Sequence, residues 1–389
     1  GRGKTSWALQ HINEAPTDRK FIYITPYLDE IQRVIKAVPN RKFLEPNNNN
    51  RAGRKLHSLK ELIVAGYDIC ATHSLFQTAD DELIELLTGS GYTLILDEVM
   101  DVIEKANINR SDIRALLELG YIEIYDNRVK WVYDDYHDGR FDDIKLLARA
   151  GNLFIHRENF LLWSFPPKVF EAFDNVMILT YLFDGQIQRY YYDLHKIAYE
   201  YKSVDKVGER YELAEYNRSN EMREKLLQLI ELYEGSLNKF ADRPNALSTT
   251  WLGKASDDVL EGIQKNIYNY FRNICKAKAK DILWTTIKKR QHDLSGKGYA
   301  KSFAAVNLRA TNEYADRSSL AYVYNRYLNP IERVFFEDNG VTINQDLLAV
   351  SDLLQWVWRS QIRNGQRINL YLPSSRMRSL LKGWAKYEI

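Results

Sequence analysis

Short apolar runs separated by amphipathic stretches set the rhythm of the first half of the chain. Phe21-Ile22-Tyr23-Ile24-Thr25, Tyr67-Asp68-Ile69-Cys70-Ala71-Thr72 and Tyr92-Thr93-Leu94-Ile95-Leu96 are five or six residues long and rich in β-branched and aromatic side chains, so each reads as a buried strand. Between them, Thr5 to Asn13, Leu28 to Val38, Ser58 to Ala65 and Asp80 to Leu87 repeat their apolar positions at helical spacing. Buried strands alternating with helices predict a parallel sheet covered on both faces. From Asp101 to Asn175 the rhythm breaks. A hairpin is expected over Tyr121–Tyr125 and Val129–Tyr133, then a helix from Phe141 to Ala150, then a second hairpin around Arg157-Glu158-Asn159. This stretch reads as an insertion, after which Val176-Met177-Ile178-Leu179-Thr180 resumes the sheet.

The second half repeats the alternation. Tyr190 to Tyr201 reads as strands leading out of the first domain, and a linker is expected between Asp193 and Asn217. Ser219–Tyr233 reads as a polar amphipathic helix, Asn245–Trp251 as a strand and Asp257–Ala277 as a long helix. Asp281–Thr286 is a further strand. Helices are expected over Ser319–Tyr327 and Gln345–Ile362, with a last strand over Arg367–Leu372.

The 389 residues allow two or three domains. With 45% hydrophobic and 27% charged residues the composition is that of an ordinary globular protein, which excludes a disordered chain or a disulfide-stapled miniprotein. No apolar run is long enough to cross a membrane as a helix. The opening Gly1-Arg2-Gly3-Lys4 is unlike a signal peptide, and Cys70 and Cys275 lie far apart, which fits a reducing intracellular compartment. The net charge of +2 conceals an asymmetry: from Phe271 to Ile389 there are 20 Lys and Arg against 10 Asp and Glu. Such a basic segment suits a polyanion, nucleic acid being the commonest, or is simply a solvated surface.

Candidate chemistry begins at the first residues. Gly3-Lys4-Thr5 is the end of a phosphate-binding loop, G-x-x-x-x-G-K-[ST]. Small residues let backbone N–H groups reach phosphate oxygens, the Lys ammonium reaches the outer phosphates, and the hydroxyl binds Mg²⁺. The first glycine of the pattern and its feeding strand would precede residue 1, so the chain reads as N-terminally truncated. Leu94-Ile95-Leu96-Asp97-Glu98 is the complementary feature. Carboxylates at a strand's carboxyl end face the ligand crevice of such sheets, where Asp97 would hold metal and Glu98 would orient the attacking water. Either motif alone has a plain structural explanation, a helix start or a solvated acidic turn. Together, in this order, they point to one nucleotide site.

On these motifs the chain resembles superfamily 2 helicase-type ATPases, related to DEAD/DEAH-box proteins and phage-encoded members. Gly1-Arg2-Gly3-Lys4-Thr5-Ser6 resembles motif I, Tyr23-Ile24-Thr25-Pro26-Tyr27 motif Ia, and Asp97-Glu98-Val99-Met100 motif II. Ala71-Thr72-His73-Ser74-Leu75 resembles the next backbone-binding turn. Leu179-Thr180-Tyr181-Leu182 stands where motif III would be, departing from S-A-T. Gln355-Trp356-Val357-Trp358-Arg359-Ser360-Gln361-Ile362-Arg363 resembles motif VI, Q-x-x-G-R-x-x-R, with Trp358 in place of Gly and the second Arg one residue late.

The resemblance implies an α/β protein of two RecA-like parallel-sheet lobes, with an α+β insertion in the first. The expected boundaries are 1–200 for the ATP-binding lobe, with the insertion at about 101–175, and 215–389 for the second lobe. It implies ATP and Mg²⁺ as cofactors: Gly1, Gly3, Lys4, Thr5 and Ser6 around the phosphates, Thr5 and Asp97 on the metal, and Glu98, Gln355, Arg359 and Arg363 as catalytic groups. On a continuous helix the two arginines would be i and i+4 and share a face. It also implies single-stranded or duplex DNA or RNA as partner, touched by Thr25, Pro26, Thr72, His73, Thr285, Lys288, Lys289 and Arg309. It further implies replication or recombination proteins as candidate partners and the cytoplasm of a bacterial or phage-infected cell as the expected place.

Two rival readings stand beside the helicase. A viral packaging-type ATPase pairs the same two motifs but normally adds a nuclease built on clustered carboxylates, whereas the segment from Phe271 onward is basic and aromatic. A nucleic-acid-binding protein with a degenerate ATP site is the other. Arg128, Lys130 and Trp131, with Tyr125 and Tyr133, make the insertion's hairpin either a wedge against a duplex or simply a packed aromatic face. The seven His residues show no zinc-binding spacing.

Overall fold

The structure is a computed structural model describing residues 3–50, 53–137, 139–307 and 313–389. Gly1 and Arg309, both expected at functional positions, lie outside the described residues. Along the first lobe run β1 (Lys20–Thr25), β2 (Phe43–Leu44), β3 (Asp68–Thr72) and β4 (Tyr92–Asp97). The insertion follows as β5 (Ile103–Lys105), β6 (Ile122–Tyr125), β7 (Arg128–Trp131), β8 (Leu153–His156) and β9 (Phe160–Ser164). The chain then returns as β10 (Asn175–Leu179). The first sheet is parallel throughout, in the order β10-β4-β1-β3-β2.

Its alternating side chains explain why both faces are covered. Phe21, Tyr23 and Ile95 pack against Trp7, Ala8, Ile31 and Val34 of the Lys4–Glu14 and Leu28–Ala37 helices. Ile22, Ile24, Leu94 and Leu96 pack on the opposite side with Leu59, Ile63, Phe170 and Tyr191. The insertion is a separate antiparallel sheet, β5-β9-β8-β7-β6, with a core of its own around Ile113, Val129, Trp131 and Leu153. On its hairpin Trp131 is buried against Tyr121 and Tyr136, whereas Tyr125 is 81% exposed.

After β10 the chain forms a two-stranded hairpin, β11 (Lys202–Val207) with β12 (Arg210–Glu215), and enters the second lobe. There β13 (Ile230–Leu232), β14 (Ile282–Thr285), β15 (Ser319–Tyr322) and β16 (Ile368–Tyr371) make a second parallel sheet, ordered β13-β16-β15-β14. The fold class is therefore α/β with two RecA-like parallel-sheet lobes and an inserted sheet in the first.

Away from the candidate site, four local expectations change. Tyr190 to Tyr201 does not form strands: Ile187–His195 is a helix, because Tyr190, Tyr191 and Tyr192 are all buried around it. Tertiary packing here overrides the β preference of tyrosine. The helix expected over Ser319–Tyr327 is instead β15, a fully buried central strand whose unbroken apolar run carries no helical period. Ser219–Tyr233 breaks into a 3₁₀ turn, the helix Arg223–Leu227 and β13, with Met222 at φ +52° between the first two. The strand expected over Asn245–Trp251 is a loop in which the Ser248 hydroxyl accepts from the Trp251 N–H at 3.3 Å and starts the Thr249–Lys254 helix.

The lobes meet along a seam just past β10. Tyr181 and Leu182 pack into the second lobe's core. A Cβ on Gly185 would collide with the Leu347 carbonyl, and buried Gln186 donates to the Ser351 hydroxyl. The Asn344 N–H donates to the Tyr190 hydroxyl at 3.0 Å. The insertion also touches the second lobe, where Arg157 pairs with Asp338 at 2.8 Å.

Candidate nucleotide site between the lobes

Gly3 has φ +81°, a left-handed conformation that glycine adopts at low cost, and it stands at the N-terminus of the Lys4–Glu14 helix. The Trp7 N–H donates to the Gly3 carbonyl at 2.8 Å, which starts the helix. Lys4 and Thr5 are half-buried there, and Ser6 is exposed. The site therefore has small-residue backbone, a cation and a hydroxyl at the positive end of a helix, where an anion is stabilised.

β4 delivers its two carboxylates to the same place. The Thr5 hydroxyl donates to Asp97 Oδ1 at 3.3 Å and the Tyr23 hydroxyl to Asp97 Oδ2 at 3.0 Å. Burial, with Glu98 next to it, pushes the Asp97 carboxyl up to about 6. Burial and the same carboxylate drive the Tyr23 hydroxyl well above its ordinary value, so it stays a donor. A buried carboxylate that accepts from two neutral hydroxyls, one of them a threonine's, suits a hard divalent cation. Mg²⁺ in nucleotide sites takes one or two protein oxygens and fills the rest with water and phosphate.

Glu98 turns out of the strand at φ +71° and faces two partners. The Thr180 hydroxyl donates to Glu98 Oε2 at 3.1 Å, and Arg359 Nη2 of the second lobe donates to Glu98 Oε1 at 3.5 Å. Arg359 keeps its Nε buried with no partner among the described residues, a vacant donor suited to an anion. The helix expected over Gln345–Ile362 stops at Val357, so the two arginines do not share a helical face. The Ser360 hydroxyl donates to the Val357 carbonyl at 2.7 Å and its backbone is extended, so Arg363 sits in a separate 3₁₀ turn, Gln361–Asn364. The arginines remain neighbours nonetheless. Burial, then Arg359 and Arg33, lower Arg363 from its ordinary value.

The remaining expected residues lie elsewhere. Gln355 is half-buried on the Gln345–Val357 helix, with its amide nitrogen unpaired among the described residues. Thr25 and Thr285 are fully buried at the carboxyl ends of β1 and β14, their hydroxyls also unpaired among the described residues. Pro26 follows β1 and is half-buried. Thr72 accepts from the Leu75 N–H and starts the short helix that buried His73 opens. Lys288 and Lys289 are exposed just beyond β14. Reasoning from sequence missed Tyr23, which reads simply as a strand position, and Arg33, a helix residue with no motif around it.

Residues 224–385 match the family model described as the YonV C-terminal Rossmann-like domain, and residues 103–163 match the YonV middle domain. The chain is 44% identical over 400 aligned residues to the SPbeta prophage-derived uncharacterized protein YonV of Bacillus subtilis (strain 168), covering 100% of this chain and 97% of that protein. The chain belongs to the YonV family. The YonV middle-domain match falls on the antiparallel sheet β5–β9, and the Rossmann-like match falls on the second lobe. The fold is also similar to a solved apo XPD structure, at TM-score 0.50 and 11% identity over 100% of this chain and 98% of that one. A structure of S. tokodaii Xpd4 aligns at TM-score 0.43 and 12% identity, over 100% of this chain and 92% of that one. The chain thus shares its fold with the apo XPD structure. None of its described helices is long and apolar enough to cross a membrane.

Proposed function

We propose that this protein is an ATP-dependent nucleic-acid helicase or translocase that hydrolyses ATP between its two RecA-like lobes. The observation that carries the reading is the meeting of Glu98 with Arg359, a strand-end carboxylate of one lobe 3.5 Å from a guanidinium of the other. In this reading the backbone around Gly3, the Lys4 ammonium and the Ser6 hydroxyl bind the phosphates, and Thr5 and Asp97 hold Mg²⁺. When bound, the metal neutralises charge on the phosphate oxygens. Glu98 orients the attacking water, and Arg359 and Arg363 stabilise charge on the transferring phosphoryl group. Thr180 keeps Glu98 aimed. For this to happen Arg359 exchanges its carboxylate partner for the nucleotide, and that exchange links ATP occupancy to the position of the second lobe.

Nucleic acid, DNA or RNA, lies across both lobes and is held mainly through phosphates, with little sequence preference. Lys288, Lys289 and Arg309 contribute charge, and the strand-end turns at Thr25-Pro26, Thr72-His73 and Thr285 contribute backbone contacts. A prophage-derived relative suits work in the bacterial cytoplasm beside replication or recombination proteins. The test is phosphate release from ATP with and without single-stranded DNA or RNA. Stimulated turnover that disappears in Glu98→Gln is expected; a Glu98→Gln protein as fast as the parent defeats the assignment.

A further inference from the structure

The β11–β12 hairpin leans on the helix that carries the phosphate loop. The Tyr211 N–H donates to Gln10 Oε1 at 2.9 Å, and Gln10 Nε2 donates back to the Tyr211 carbonyl at 3.2 Å. Arg210 pairs with Glu14 at 2.6 Å, and Val204 is buried among Trp7, Ala8 and Ile12. An isolated two-stranded hairpin is marginal in water, so these contacts to the Lys4–Glu14 helix are what hold it. They also fix one side chain against the loop. The half-buried Tyr211 ring lies on Gly3 so closely that a Cβ there would collide with it. Lys206 Nζ stands 5.9 Å from the centre of the ring.

We infer that Tyr211 is part of the nucleotide site and forms the stacking platform for the base and ribose of the bound nucleoside triphosphate. The inference rests on the reading of Gly3-Lys4-Thr5 as the phosphate loop. A nucleotide whose phosphates lie at Gly3 and Lys4 must send its nucleoside away from the helix end, and Tyr211 is the aromatic surface built against that end. Lys206 places a cation over the same ring. Every base has a π-face, so a single tyrosine selects for a nucleoside over bare phosphate without choosing strongly between purines. Gly3 is thereby required twice, for its left-handed backbone and for the space that the ring fills.

The experiment compares two ligands, ATP and inorganic tripolyphosphate, the second having phosphates but no base. Affinities are measured by displacement of a fluorescent ATP analogue from the parent, Tyr211→Ala, Tyr211→Phe and Lys4→Ala. Tyr211→Ala is expected to weaken ATP by about tenfold or more while leaving tripolyphosphate unchanged, and Tyr211→Phe is expected to bind both as the parent does. Equal losses for both ligands overturn the inference, since the ring then only braces the loop. So does no loss for either. Lys4→Ala separates the two levels. If it weakens both ligands, the phosphate loop stands whatever Tyr211 does; if it weakens neither, the loop and the stacking platform fall together.

Discussion

Arg359 Nη2 lies 3.5 Å from Glu98 Oε1 across the lobe boundary, while Glu98 Oε2 takes its hydrogen bond from Thr180. One carboxylate is thus shared between a hydroxyl of its own lobe and a guanidinium of the other. Arg359→Ala is expected to lower kcat for ATP by at least about 10³-fold, as removal of an arginine finger does. Arg359→Lys should recover little of it, because an ammonium cannot reproduce the planar fork of donors. Steady-state phosphate release checks both, and retained ATP binding shows that the loss lies in the chemical step. A change of only a few fold excludes the finger role.

Asp97 makes the free protein less stable at neutral pH. Its folded value of about 6 lies above the ordinary 3.8, so the native state holds the proton more tightly than the unfolded chain does. Stability from this group therefore falls as pH rises from about 4 to about 6, and the full cost is present above that window. Asp97→Asn removes the charge but also one acceptor for Tyr23 or Thr5. A net gain of about 1–2 kcal/mol at pH 8, turning into a loss of similar size near pH 4 where only the missing acceptor counts, is expected. Thermal melts at the two pH values check it. Adding Mg²⁺ and ATP should raise the Tm of the parent and not that of the variant.

Glu221 and Arg223 form an ion pair at 2.6 Å inside the seam, with Arg223 1% exposed. Burial pushes the Glu221 carboxyl up, but the hydrogen bonds from Arg223, Tyr181 and Tyr216 outweigh it and hold the group below its ordinary value. Its contribution is therefore present above the ordinary carboxylate range and is lost as pH falls through the lowered value. Breaking the pair from one side, by Arg223→Met or Glu221→Leu, should cost about 3–5 kcal/mol. The double variant should recover much of that, since neither charge is then left alone. Denaturant melts of the parent, the two single variants and the double variant give the coupling energy directly.

The buried strands were legible because their chemistry is local. Leu94–Leu96 ending in Asp97-Glu98, and the hairpin around Asp126-Asn127, need nothing distant to explain them. Thr5 and Asp97 were placed together by motif alone, and the structure puts them 3.3 Å apart. What escaped depends on partners far along the chain. The three tyrosines at 190–192 are helical because Phe165, Phe170 and Phe336 surround them. Arg359 and Arg363 left a common helix because Ser360 turns back on Val357. Tyr23 looks like any apolar strand residue until Asp97 arrives from the neighbouring strand.

The seam past β10 governs how the lobes can move. With Leu182 seated in the second core, Gly185 against Leu347 and Gln186 bound to Ser351, one corner of the cleft is fastened. Withdrawing Arg359 from Glu98 therefore takes a swing about that corner rather than a parting of two free bodies. The device works like a pair of scissors: a small angle at the rivet becomes a long stroke at the tips.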